Sequence, residues 1–156
     1  KTKRDAHERG YNNEQITESI AARKNDFEKF IAPQRDFADL IINYFTDKTP
    51  DEGLKPADLK LRLTFDSNIP VEGIIDFLHA NKVSYRWDYD DDLKHQYIVI
   101  NEAITSIKDF ESAAKESINN LEEILAAPGN FQKGLRGFVQ LIILKILSEK
   151  MKEIYD

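Results

Sequence analysis

Leu59-Lys60-Leu61-Arg62-Leu63-Thr64-Phe65 alternates apolar and polar side chains without a break. Successive residues of a strand point to opposite faces, so this period of two predicts a half-buried β-strand. The assignment decides the fold class, because a strand here makes the flanking segments a mixed sheet-and-helix domain. A helix over Leu59 to Leu63 would instead make residues 37–100 a winged-helix interaction module with Val71 to Lys82 as its recognition helix. That helix would carry Glu72 and Asp76 and the wing would be Asp88-Tyr89-Asp90-Asp91-Asp92, which suits a protein partner and repels a nucleic-acid backbone.

Downstream, Val71 to Ala80 is amphipathic at helical spacing. Val83, Tyr85, Trp87 and Tyr89 resume the period of two, and Tyr97 to Ile100 is a second β-prone run. The stretch between them predicts a hairpin whose loop is solvated and acidic. Tyr85, Trp87, Tyr89 and Tyr97 are read together as one core or interface stripe rather than a base-stacking platform. A helix is expected over Ala103 to Ala127, a break at Pro128-Gly129-Asn130, and a final helix over Phe131 to Tyr155. The final helix is apolar on most sides, which marks it as a core helix or an oligomer contact.

Upstream, Thr46 to Pro56 holds two Pro, a Gly and several acids and is read as a linker or long loop. Phe37 to Phe45 is short enough for a buried strand and spaced well enough for a helix, and periodicity leaves both open. One or two helices are expected between Glu14 and Pro33. The organisation drawn from these breaks is two segments, 1–46 and 47–156, the second ending in two long helices.

Composition narrows the function. The 156 residues carry a net charge of −6, which argues against broad nucleic-acid binding, and have no Cys for a disulfide or thiolate site. The longest apolar run, Phe138 to Leu147, is interrupted by Gln140 and Lys145 and is too short to span a bilayer. The cytoplasm is the expected location. Asp88, Asp90, Asp91 and Asp92 have the opening spacing of a calcium loop, but Leu93 stands where such a loop needs Gly and Val99 where it needs Glu. His7, His79 and His95 lack companions at ligand or triad spacing, so no metal site is expected.

The chemistry-bearing residues cluster at the start, in Arg4-Asp5-x-x-x-Arg9-Gly10, Arg23-Lys24-x-Asp26-Phe27-x-x-x-Ile31-x-Pro33-Gln34 and Ala38-Asp39-x-Ile41-Ile42. A guanidinium is permanently charged and offers a planar fork of donors that grips phosphate oxygens. The plainer reading of Arg4 and Arg9, beside Asp5 and Glu8, is exposed helical ion pairs. The ordered run of elements resembles the lid and late core of the phosphoribulokinase and uridine kinase family, and Arg23-Lys24-x-Asp26-Phe27 with Pro33-Gln34 is closer to phosphoribulokinase. Pro128-Gly129, Gly134-Leu135 and the helix after them distantly resemble the end of the longer phosphoribulokinases.

The resemblance implies that residues 1–46 are the lid and late core of a P-loop kinase and 47–156 its C-terminal α/β domain. The fold implied is α/β, or α+β within these residues, with a small, mainly antiparallel sheet packed by helices. Arg4, Arg9 and Arg23 would bind phosphate or substrate, and Asp5 would be catalytic. ATP and Mg²⁺ would serve the complete enzyme, acting on a small sugar phosphate or nucleoside. No GxxxxGK[ST] occurs in the sequence, so an upstream P-loop half of the same protein is the expected partner and this chain alone is expected to be inactive. A regulatory or oligomerisation module is the alternative, with a homo-oligomer as its form.

Overall fold

The alternating stretch is a strand, β2 (Lys60–Asp66), with Leu61, Leu63 and Phe65 buried and Arg62 on the opposite face. The winged-helix reading required a helix here and is withdrawn. The computed structural model describes residues 18, 21–24, 26–49, 53, 55, 58–91, 93–100, 110–127 and 129–155, in two compact units, Lys1–Ala38 and Asp39–Asp156.

In the second unit, Leu40–Phe45 forms β1, which settles the ambiguity of Phe37 to Phe45. The main-chain groups on one of its edges are satisfied by antiparallel pairing with β2, from Leu40 opposite Phe65 to Phe45 opposite Lys60. The division between the two units falls before β1. β3 (Tyr85–Tyr89) and β4 (His95–Ile100) form the expected hairpin, and β4 pairs with β2 to give the order β1-β2-β4-β3, antiparallel throughout.

Among the described residues four helices accompany the sheet: α1 (Glu72–Ala80), α2 (Phe110–Ser117), the short α3 (Leu121–Ile124) and α4 (Leu135–Tyr155). The helix expected over Ala103 to Ala127 is therefore two helices, with residues 101–109 outside the described part. Leu61, Leu63, Ile98 and Ile100 from the strands share one buried cluster with Ile74 and Leu78 of α1, Phe110 of α2 and Phe138 and Leu141 of α4. A small α+β domain with helices on one face of an antiparallel sheet results.

Local chemistry ends α1 sharply. Lys82 adopts φ 55° and donates to His79 O at 3.0 Å, while Val83 donates to Leu78 O at 3.0 Å, the paired bonds that satisfy orphan carbonyls at a helix end. The turn from β2 into α1 is held by Gln96 of β4, which is almost fully buried. Its amide nitrogen donates to Ile69 O at 2.7 Å, Asp66 O at 3.1 Å and Ser67 O at 3.2 Å, and its oxygen accepts from Trp87 Nε1 at 2.9 Å.

A polar fastener joins α4 to the end of α2. Lys145, largely buried, donates to Ser117 O at 3.1 Å and to Glu149 at 2.8 Å, and Ser148 donates to Asn120 at 2.5 Å. Burial opposes the charge of Glu149, but hydrogen bonds from Lys145 and Lys152 outweigh it and hold its carboxyl below the ordinary glutamate value of 4.5. A carboxylate depressed in the folded state stabilises the fold above its unfolded pKa, and that contribution is lost as pH falls through the lower, folded value. The wild type should therefore melt above Glu149→Gln near neutral pH, and the gap should close as pH drops below 4.5. Thermal melts followed by circular dichroism across that range check this, and a gap independent of pH would remove the ion pair as its cause.

Candidate functional site

The candidate residues fall on the first unit. Arg4, Asp5 and Arg9 lie outside the described residues. Arg23 is described: it sits on the helical turn at residues 21–24 with its side chain exposed.

The chain then continues through a π-helical turn, Phe27–Ile31, into a 3-10 helix, Ala32–Phe37. Pro33 suits the opening of the second helix because its fixed φ and missing N–H cost nothing there. Gln34 Nε2 donates to Phe30 O at 2.9 Å, bridging the two turns, and Lys29 Nζ lies 5.2 Å from the Phe30 ring centroid. Lys24 Nζ stands 3.9 Å from Glu28, one turn on. Within the motif, Pro33 and Gln34 thus shape the backbone, while Arg23 presents a charge to solvent.

The last motif element is divided by the fold. Asp39 pairs with Lys150 of α4 at 3.0 Å, and that carboxylate raises the Lys150 ammonium above its ordinary value. Ile41 and Ile42 belong to β1. In this unit Asp39 tethers a strand end to a helix, which is a packing role.

A second group of charges, not anticipated from the sequence, lies on the sheet face opposite the helices. The Arg62 guanidinium stacks 3.8 Å from the Tyr97 ring centroid, with Arg86 at 5.6 Å. Arg62 also bonds Asp90 at 2.5 Å, and Arg86 bonds Asp88 at 2.8 Å. The hydrogen bond from Arg86 is the main reason the Asp88 carboxyl titrates below the usual range, and the same bond raises the Arg86 guanidinium. Each arginine therefore already has a carboxylate partner, and Asp88 and Asp90 serve as ion-pair partners.

The expectation of a single four-aromatic stripe is corrected at this point. Tyr97 pairs with Asp88 and Thr64, so its ring lies on the polar face, whereas Tyr85 and Trp87 pack on the core side. The register decides this: paired residues of this hairpin have opposite parity, so Tyr97 shares a face with the even-numbered residues of β3.

The second unit defines an α+β class of domain and by itself assigns no chemistry. Residues 1–49 match the model for the Phosphoribulokinase / Uridine kinase family. Over 64 residues, 40% of its length, the chain is 47% identical to a chloroplastic phosphoribulokinase from Chlamydomonas reinhardtii, of which the match takes in 16%. It is also 47% identical over 53 residues to the chloroplastic phosphoribulokinases of Triticum aestivum and Arabidopsis thaliana, covering 33% of this chain and 13% of each relative. The N-terminal stretch that contains every candidate site residue is therefore related to this kinase family. Among the described residues no helix is long and apolar enough to cross a membrane.

Proposed function

We propose that this chain is the C-terminal part of an ATP-dependent phosphoribulokinase-like enzyme that phosphorylates a hydroxyl of a small sugar phosphate or nucleoside. The family match of residues 1–49 carries this reading, because it includes Arg4, Asp5, Arg9 and Arg23 together. In it Arg4 and Arg9 clamp phosphate oxygens, Asp5 belongs to the same site, and Arg23 adds positive charge from the exposed turn. The cytoplasm is its expected compartment; the named relatives are chloroplastic.

In this reading ATP and Mg²⁺ serve the complete enzyme rather than this chain by itself. The sequence has no GxxxxGK[ST] loop to cradle phosphates, and the described residues contain no group of three His, Cys, Asp or Glu able to hold a metal. Nucleotide and metal belong in this reading to an upstream P-loop half of the complete protein, and the present chain is inactive alone.

Kinetics on the complete protein with ATP, Mg²⁺ and either ribulose 5-phosphate or uridine test this. Arg4→Ala and Arg9→Ala should each lower kcat/KM about thirtyfold, the worth of one charge-assisted phosphate contact. Unchanged kinetics in both variants would remove the arginine clamp. Turnover by the 156-residue chain alone would overturn the claim that it is inactive.

A further inference from the structure

α1 and α2 lie side by side with a groove between them. Gly73 lets them approach closely at one point, where a Cβ built on it would lie 3.3 Å from Ser117 Oγ. Beside that contact is a cavity of about 590 Å³. Its apolar lining is Phe77 and Ala80 of α1 and Ala113 of α2, and each helix adds one carboxylate, Asp76 from α1 and Glu116 from α2.

The charge of this groove is one-sided. Among the described residues neither Asp76 nor Glu116 has a hydrogen-bond or ion-pair partner. The two helices carry Glu72, Asp76, Glu111 and Glu116 against Lys115, and Lys115 is already paired with Glu111 at 2.8 Å. Asn81, which also lines the cavity, donates its amide to Phe77 O at 2.9 Å, and this leaves its side-chain oxygen as a further acceptor. The half-buried Phe77 ring rests against Phe110, 5.9 Å between centroids, and its face attracts cations as well as apolar groups.

We propose that the groove between α1 and α2 is a docking site for a basic amphipathic helix of a partner protein. Such a helix lays its apolar stripe on Phe77, Ala80 and Ala113 and sets a Lys or Arg against each of Asp76 and Glu116. Charge complementarity selects this occupant, because every charge on the groove walls left without a partner is negative. Exposed carboxylates alone hold a small free cation weakly, whereas a helix also removes the apolar lining from water. The nine residues of α1 run about 13 Å, enough for two to three turns of a helix laid alongside, and the small side chains of Ala80 and Ala113 let its backbone come close. The contact is small, so binding is weak and falls as salt rises. The inference rests on this groove alone and stands apart from the kinase reading.

Fluorescence anisotropy of a dye-labelled synthetic helix tests it, titrated with the 156-residue chain and its variants, each shown to be folded by circular dichroism. The probe is built of alanine and leucine on one face and lysine on the flanks; a second probe has glutamate in place of lysine. The wild type should bind the lysine probe and not the glutamate probe. Asp76→Lys and Glu116→Lys should each weaken binding about tenfold. Glu122→Lys makes the same change of net charge on α3, outside the groove, and should bind within about twofold of wild type. Spermidine, which has the charge without the apolar face, should not displace the probe at equal concentration. Absence of binding at about 1 mM overturns the proposal. So does equal weakening by Glu122→Lys, which would reduce the effect to overall charge, and so does displacement by spermidine, which would make the groove a site for small cations.

Discussion

Gly137→Ala should lower the melting temperature by about 10 °C or more, a loss of about 3 kcal/mol, although alanine is the better helix former. Gly137 lies buried near the start of α4, and a Cβ built there meets Gln132 O at 2.0 Å and the Phe110 ring at 2.5 Å. A backbone oxygen cannot rotate away as a side chain tip can, so the helix would have to lift from α2 and separate Phe138 from Phe110 in the core. The exposed neighbour Arg136, replaced by Ala, is the control and should melt within a degree or two of wild type. Equal melting of Gly137→Ala and wild type would show that α4 does not approach α2 this closely.

Gln96→Leu should cost about 3 kcal/mol, although leucine has similar volume and the site is almost fully buried. The substitution removes the donor to Ile69 O, Ser67 O and Asp66 O and the acceptor of the Trp87 indole. Asp66 O keeps a bond from Ile69 N, but Ile69 O loses its short one and the indole N–H is left without its acceptor. Denaturant unfolding gives the stability change, and the emission of Trp87, the single tryptophan, reports the altered indole. Wild-type stability with unaltered emission would show that the amide does not hold this turn. Because Gln96 joins β4 to the β2–α1 connection, its loss should also loosen the β3–β4 hairpin.

Much of the second unit was legible because its signals are local. The alternation of Leu61, Leu63 and Phe65 specified β2, the helical spacing of Ile74 and Leu78 specified α1, and the run from Phe138 to Leu147 specified α4. α4 starts at Leu135 rather than Phe131, since Gly134 at φ 66° precedes it outside the helical region. The likeness of the first 49 residues to a kinase family was legible for another reason: it lies in residue identities at fixed spacing, which no folding step has to supply.

By itself the sequence determined the strand and helix types of the strongly periodic segments, the absence of a P-loop, and the arginine-bearing stretch shared with phosphoribulokinases. Only the tertiary structure decided that Leu40–Phe45 is a strand, that Tyr97 lies under Arg62, that Gln96 bonds the β2–α1 turn, that Gly137 sits against Gln132 and Phe110, and that among the described residues β3 pairs only with β4. The physical reason is range. Periodicity records which side of an element is apolar, whereas strand order, register and close approach are set by partners far along the chain, which become neighbours only once the sheet has formed.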